Sequence, residues 1–144
     1  MLNNPEKIYV DTSAFYALLD RADPYHNEAS SLWVTLMDNN STLVTSNYVV
    51  SETMKLLQKR IGFEAARAWY KKILSVLDVL WIDEGIHQQA YELWLNLGRI
   101  PLSLVDCTSF VTMHQHQIER AFCFKSHFVD NGFDILTLSF SSDK

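Results

Sequence analysis

The sequence predicts an α/β domain in which helices cover both faces of a mostly parallel, about five-stranded sheet. Short segments rich in Val, Ile, Leu and Phe alternate along the chain with longer segments whose apolar residues recur at helical spacing. Of the 144 residues, 48% are apolar, four are Gly and three are Pro, which favours a regular, compact chain. Alternating strands and helices are typical of α/β sandwiches with a buried parallel sheet. We expect one domain at residues 1–140 and a short polar tail at residues 141–144.

The five strands are expected at the short apolar segments. They are Lys7–Val10, Thr42–Thr45, Val79–Ile82, Ala121–Phe124 and Asp134–Leu138. The residues after Asp11 look helical, and helical spacing predicts further helices at Pro24–Asp38, Tyr48–Arg60, Gly62–Ser75, Glu84–Leu97 and Ser103–His116. Ser46 or Asn47 is the expected cap of the helix at residues 48–60, and Gly98 is expected to end the helix at residues 84–97.

Charge and cysteine usage exclude some classes of protein. The net charge of −5 gives no overall attraction to nucleic acid, so such a partner would need a local basic patch. Cys107 and Cys123 form neither a CxxC pair nor a disulfide framework, which fits a reducing cytosol. No apolar stretch is long enough to cross a membrane and no signal peptide opens the sequence, so we expect a cytoplasmic protein without a membrane partner.

The first strand ends on a carboxylate in the stretch IYVDTSAF, residues 8–15. Asp11 could cap the following helix by accepting the free N–H groups of its first turn, which is the simpler interpretation. It could also help to hold a cation, because open α/β sheets place their sites at the carboxyl edge. This stretch alone leaves both interpretations open.

Two further carboxylates lie near the starts of predicted helices. Glu52 borders the apolar stripe of the helix at residues 48–60, too far along to form a capping box with Asn47, and an exposed carboxylate would also suit that border. Asp106 lies among apolar neighbours in PLSLVDCTSFVTM, where a carboxylate is costly unless it is paired or bound to a metal. Ser103 and Asp106 have capping-box spacing, and capping is compatible with a functional site there.

Asp11, Glu52 and Asp106 each lie close to the start of a predicted helix that follows a strand or loop. In a parallel sheet these points converge on one edge. Carboxylates brought together repel one another, and their pKa values rise unless a cation neutralises them. Hard oxygen ligands suit Mg²⁺ or Mn²⁺, so the three residues form a candidate metal site.

Four stretches, in this order and spacing, resemble the PIN-domain family and most closely its VapC-type toxin ribonucleases. They are IYVDTSAFYALLD, TSNYVVSETMKLL, LSLVDCTSFVTM and AFCFKSHFVDNGFDIL, and together they span nearly the whole chain. The resemblance implies an α/β/α sandwich and an endoribonuclease that uses Mg²⁺ or Mn²⁺ to hydrolyse RNA phosphodiester bonds. It also implies a small antitoxin protein as partner and a homodimer.

The resemblance assigns roles to matching positions of this sequence. The acidic set would be Asp11, Glu52 and Asp106, with hydroxyl groups at Thr12 and Ser103 beside it and the polar residue Asn47 opening the helix that carries Glu52. Asp11 and Asp106 would be the primary metal ligands, directly or through water, and Glu52 would hold a metal-bound water or help to deprotonate the attacking water. The segment Phe15–Asp20 could form an apolar wall for an antitoxin peptide, or it could be ordinary core.

One position departs from the family pattern. Members usually carry a fourth acid in the last stretch, whereas FKSHFVDNGF places Lys125 there. Three carboxylates and an ammonium make a weaker cation site than four carboxylates. Lys125 could contact the scissile phosphate as a point charge, or the protein could be a weakened or inactive module that only binds RNA or a protein. Asp130 could replace the missing acid, but a solvated helix residue is the simpler interpretation.

Six basic residues on two consecutive predicted helices are either solvated helix faces or a strip for an RNA backbone. They are Lys55, Lys59, Arg60, Arg67, Lys71 and Lys72.

A second enzyme class is a phosphatase of the haloacid-dehalogenase type, with Asp11 as nucleophile. Such enzymes carry a second Asp two positions on, where this sequence has Ser13, which argues against that class.

Overall fold

The computed structural model describes residues 5–98 and 100–138. The strands are β1 (Lys7–Val10), β2 (Thr42–Ser46), β3 (Asp78–Leu80), β4 (Arg120–Phe122) and β5 (Asp134–Ile135). The helices in this part of the chain are α1 (Thr12–Leu19), α2 (His26–Asp38), α3 (Asn47–Arg60), α4 (Phe63–Ile73), α5 (Glu84–Leu97), α6 (Leu104–Gln115) and α7 (His127–Asp130). The strands form one fully parallel sheet in the order β3-β2-β1-β4-β5.

The central strand β1 is apolar on both faces because helices cover both. Ile8, Tyr9 and Val10 are completely buried, as expected for the middle of a parallel sheet. Right-handed crossovers place α1 to α4 on one face and α5 to α7 on the other. The packing agrees, since α1 contacts α2 and α3, α3 contacts α4, and α5 contacts α6. The predicted three-layer sandwich is therefore confirmed.

The first helix belongs mainly to the core rather than to an exposed groove. Phe15 is completely buried and its ring meets that of Trp69 edge to face, with centroids 5.0 Å apart. Ala17 is also buried, whereas Leu19 is exposed at the end of the helix. Of the two interpretations of segment Phe15–Asp20, ordinary core describes Phe15 and Ala17, while Tyr16 is buried and also lines a cavity.

The predicted elements differ from the observed ones mainly at the ends of the strands. β5 pairs with β4 over only two residues, so it ends at Ile135 and not at Leu138. β3 ends at Leu80, since it pairs only with β2 and that strand ends at Ser46. Ser46 is the cap of α3, with its Oγ accepting the Val49 N–H at 3.1 Å, and Gly98 follows α5 as expected.

Two further predictions concern the polar tail and membrane-spanning segments. The predicted tail at residues 141–144 lies outside the described residues. Within them, every helix is too short or too polar to cross a membrane.

Candidate active site

Asp11 begins the site at the carboxyl end of the central strand. Its backbone N–H donates to the Phe122 carbonyl at 3.1 Å, so Asp11 still belongs to the β1–β4 pairing. The side chain is completely buried and caps α1, with Oδ2 accepting the backbone N–H of Ser13 at 3.0 Å and its hydroxyl at 2.7 Å. Oδ1 has no hydrogen-bond partner in the described part of the chain. Capping therefore accounts for one carboxylate oxygen of Asp11 and leaves the other free.

Ser13 is a structural partner of the site that sequence reasoning missed. Its hydroxyl donates to Asp11 and accepts the backbone N–H of Phe124 at 3.0 Å. This bridge fixes the Asp11 carboxylate and ties α1 to the segment that follows β4. The signal in the sequence was a hydroxyl residue two positions after an aspartate at a strand end, a spacing at which side chains often bond to each other and to the backbone.

Asp106 is held by the capping box that its spacing predicts. Ser103 Oγ accepts the Asp106 N–H at 3.0 Å, and Asp106 Oδ2 accepts the Ser103 N–H at 3.2 Å. The residue is almost completely buried, with 3% exposed. As at Asp11, one oxygen is used by the helix start. The other, Oδ1, faces Lys125.

Lys125 lies among the carboxylates. Its Nζ is 3.3 Å from Asp106 Oδ1 and 3.9 Å from Asp11 Oδ2, and 34% of its side chain is exposed. Burial by itself would lower the pKa of the Lys125 ammonium. The charges of Asp11, Asp106 and Glu52 outweigh that effect, so the pKa of Lys125 is raised.

Glu52 completes the acidic set from the second turn of α3. It is half-buried, and its Oε1 has no hydrogen-bond partner in the residues described. Burial raises the pKa of the Glu52 carboxyl, the Thr12 hydroxyl and Lys125 act against that rise, and the charges of Asp11 and Asp106 add to it. The three predicted acids therefore lie close enough to influence one another, as their positions at one sheet edge required.

The other predicted residues lie beside this set in different roles. Thr12 is buried, and its hydroxyl lies 3.0 Å from that of Thr53 on α3. Asn47 lines a cavity with Glu52, while its Oδ1 accepts the backbone N–H of Ile82 at 2.6 Å and so holds the segment after β3. Ser103 acts through its capping bonds to Asp106.

The donor set has the chemistry that a hard divalent cation requires. All three acids offer carboxylate oxygens, and buried oxygens of Asp11 and Glu52 lack a partner, which is costly unless a cation or donor satisfies them. As they stand, no three Asp, Glu, His or Cys side chains among residues 5–98 and 100–138 are grouped around one ion position. Lys125 contacts two of the acids, so for a metal to bind there the ammonium would have to move away and the three carboxylates would have to draw together.

A groove opens onto Glu52 and Lys125. Its volume is about 440 Å³, and Lys125 and Glu52 line it together with Lys55, Lys59 and Arg60. Tyr25 and Phe124 form one wall, with stacked rings whose centroids are 4.6 Å apart. A second cavity of about 510 Å³ lies beyond Glu52 and Lys55 and is lined by Asn47 and Tyr48. Glu52 thus lies where two cavities meet.

The predicted basic strip divides into two parts. Lys55, Lys59 and Arg60 lie on α3 and line the groove. The others lie on α4, where Arg67 is 3.9 Å from Glu64 in an exposed ion pair and Lys71 and Lys72 are exposed. Of the six residues in the predicted strip, the three on α3 are therefore the ones whose positive charge can meet a polyanion in the groove.

Comparison with known proteins places this arrangement in a family. The family described as the PIN domain matches residues 8–132, which is most of the chain. This chain belongs to the PIN-domain family. The resemblance seen in the four sequence stretches is thereby confirmed, and the parallel α/β/α sheet is the PIN fold.

Relatives of this PIN domain include named nucleases. The 23S rRNA-specific endonuclease VapC20 of Mycobacterium tuberculosis is 34% identical over 127 residues, covering 88% of this chain and 95% of that protein. The crystal structure of VapC20, described as a sarcin-ricin loop cleaving toxin, superimposes with a TM-score of 0.83 at 33% identity, over 90% of this chain and 98% of that one. A DNA-bound VapBC structure from Salmonella typhimurium has a TM-score of 0.69 at 16% identity, over 91% and 97% of the two chains, and shows the shared fold.

Proposed function

We propose that this PIN domain is a divalent-metal-dependent endoribonuclease and the toxin component of a toxin–antitoxin pair. The observation that carries the proposal is the proximity of three acids from separate elements: Asp11 and Asp106 both contact Lys125, and their charges add to the effect of burial in raising the pKa of Glu52. Among residues 5–98 and 100–138, buried oxygens of Asp11 and Glu52 find no hydrogen-bond donor. A stable fold does not require such an arrangement, since buried unpaired carboxylates destabilise it.

Each residue of the set has a role that follows from its contacts. Asp11 and Asp106 would hold Mg²⁺ or Mn²⁺ through the oxygens that the helix caps leave free, while Ser13 and Ser103 fix the orientation of the two carboxylates. Glu52, whose raised pKa favours proton uptake, would take the proton of the attacking water. The bound ion would supply electrostatic stabilisation of the phosphate and a lowered pKa of water.

The two cavities beside the acids offer a path for RNA. A strand that crosses both would pass its backbone over Glu52, with Lys55, Lys59 and Arg60 near its phosphates. Stacked Tyr25 and Phe124 would provide an aromatic wall for an unpaired base. The similarity to a 23S rRNA-specific endonuclease makes ribosomal RNA the first substrate to test.

A second candidate function is an RNA- or protein-binding module without catalysis. The observation that favours it is the Lys125 ammonium, which already neutralises part of the charge of Asp11 and Asp106. In that case RNA would bind in the groove without being cleaved.

Partners are proposed from the relatives and from the surface. The VapBC structures, named for toxin–antitoxin complexes, support a small antitoxin protein as partner. On α5, the exposed rings of Tyr91 and Trp94 stack on each other, and exposed Leu95 lies next to them in sequence. Such an exposed apolar patch supports a homodimer. The two free, buried cysteines agree with action on RNA in the cytoplasm.

The decisive experiment is Asp106→Asn, assayed with a 23S rRNA fragment in Mg²⁺ or Mn²⁺. We expect cleavage to fall roughly 100-fold or more, because a buried charge that organises the reaction is lost. The amide oxygen can still accept the Ser103 N–H, so the capping box and the fold should be retained, while loss of the Lys125 ion pair lowers the unfolding midpoint. Asp130→Asn, an exposed change on α7, is the control and should cleave normally. Undiminished cleavage by Asp106→Asn would contradict the ribonuclease assignment, and RNA binding without cleavage by the native protein would favour the second candidate.

A further inference from the structure

We infer that Lys125 serves as a built-in counter-ion in the position of the metal, so that metal binding and the Lys125–Asp106 contact exclude each other. The inference rests on the proposed metal site and adds a competitor to it. It concerns the position at which the family resemblance leads one to expect an acid and this chain carries a lysine.

Distances carry the first step. The Lys125 Nζ lies 3.3 Å from Asp106 Oδ1 and 3.9 Å from Asp11 Oδ2. A divalent ion shared by these two carboxylates would lie roughly 2.0–2.5 Å from its ligand oxygens. Asp106 Oδ1, the oxygen that such an ion would use, is the one that the ammonium already contacts, and on Asp11 the ammonium faces the capping oxygen of the same carboxylate. Two cations placed there together would repel strongly, so one must leave for the other to bind.

Charge compensation explains why the lysine is there. Asp11 is completely buried and Asp106 nearly so, and Glu52 lies close enough to raise the electrostatic cost of both charges. Without a nearby cation, these acids would repel one another at the sheet edge. One ammonium that contacts two of them stabilises the metal-free fold.

The path by which Lys125 leaves is also visible. The backbone before it is anchored, because the Phe124 N–H donates to Ser13 Oγ at 3.0 Å. The side chain is one-third exposed and lines the groove that also contains Lys55 and Lys59. Rotation about its own carbon chain would move the ammonium from the acids into that groove. There it would meet an RNA phosphate, so one residue would neutralise the acids without metal and bind the substrate with metal.

The test measures Mn²⁺ binding by calorimetry and the unfolding midpoint with and without Mn²⁺. Lys125→Met keeps the aliphatic chain and removes the charge, and Lys125→Asp supplies the acid of the family pattern. We expect Lys125→Met to bind Mn²⁺ roughly tenfold or more tightly than the native protein, since no cation has to be displaced. Lys125→Asp should bind at least as tightly as Lys125→Met. Without metal, both variants should unfold at a lower temperature than the native protein. Addition of Mn²⁺ should raise their unfolding midpoints by more than it raises that of the native protein.

Lys59→Met is the matched control. It removes the same charge from the same groove, on α3, and should change Mn²⁺ affinity much less than Lys125→Met does. Equal affinity of Lys125→Met and native protein would overturn the inference, as would equal tightening by Lys59→Met. Either result would leave the ribonuclease proposal intact, because that proposal depends on the cleavage assay with Asp106→Asn. Absence of Mn²⁺ binding in all four proteins would overturn the inference and the metal site together.

Discussion

Two helices of this fold, α1 and α5, begin on an aspartate that follows a strand, and their surroundings differ. Asp11 accepts the Ser13 N–H at 3.0 Å, and Asp83 accepts the Ile86 N–H at 2.9 Å. Asp83 is exposed to solvent, whereas Asp11 is completely buried. Asp11 also has an oxygen, Oδ1, that no donor in the described part of the chain reaches, and the residue lies near Lys125. The two residues share capping chemistry, and burial separates them.

The difference shows that a cap and a ligand are not alternatives. Capping occupies one oxygen of a carboxylate and fixes its orientation, so the other oxygen is presented in a defined direction. At Asp83 that oxygen belongs to an exposed side chain, and solvent can compensate it. At Asp11 it is buried, and Lys125 compensates the carboxylate only in part, because its ammonium lies 3.9 Å from the capping oxygen Oδ2 and not beside the free Oδ1. Such a cost is expected where function opposes stability.

The largest expected effect comes from removing each cap. Asp11→Ala should lower the free energy of unfolding by about 2 kcal/mol, because it loses the cap, the Ser13 hydroxyl bond and a contact of Lys125. Asp83→Ala should cost about 1 kcal/mol, the usual value for an N-cap alone. Urea unfolding without divalent ions measures both. Equal costs at the two positions would mean that burial adds nothing to the Asp11 contacts.

Local sequence was enough to predict that Asp11 and Asp106 lie near each other at one edge of the sheet, although it missed Ser13. Asp106 and Ser103 are three positions apart, so their capping box follows from spacing. Convergence of Asp11 with Asp106 followed from the rule that the carboxyl ends of parallel strands share an edge. Both inferences need only the order of elements, and β1 and α5 were also predicted with the observed bounds.

Contacts between distant residues could not be predicted in the same way. The Ser13–Phe124 bond joins residues 111 positions apart, and the contact of Lys125 with Asp106 depends on the direction of one long side chain. Asn47 shows the same limit, because its bond to Ile82 requires the exact placement of the segment after β3. The short edge strands β3 and β5 end where their pairing ends, a tertiary property that propensity does not encode.

An intermediate effect is expected at Glu52, and it depends on pH. Burial raises the pKa of Glu52 in the folded protein. The contribution of Glu52 to the free energy of unfolding is therefore fully present below its pKa in the unfolded chain, about 4.3. It is lost as the pH rises through the raised pKa of Glu52 in the folded protein. Glu52→Gln should thus stabilise the metal-free protein at pH 7, by under about 1 kcal/mol for a half-buried group, and the gain should vanish near pH 4.

Thermal unfolding of native protein and Glu52→Gln across pH 4–8 checks this sign, with Glu64→Gln in the exposed pair as the control. A gain that grew toward low pH would be inconsistent with the raised pKa. The same variant should cleave RNA poorly, so that stability and activity change in opposite directions at one position.

The smallest expected effect is the one that separates capping from ion binding. Asn and Asp cap helices about equally well, so Asp83→Asn should change the free energy of unfolding by less than about 0.5 kcal/mol, mainly through the lost charge at the start of α5. Its Mn²⁺ affinity and RNA cleavage should equal those of the native protein. The identical exchange at Asp11 also keeps an oxygen for the Ser13 N–H, yet it should abolish Mn²⁺ binding, because the free oxygen loses its charge. Calorimetry on the two variants therefore compares one chemical change at two helix starts. If Asp11→Asn bound Mn²⁺ as Asp83→Asn does, the buried carboxylate would be a cap and nothing more.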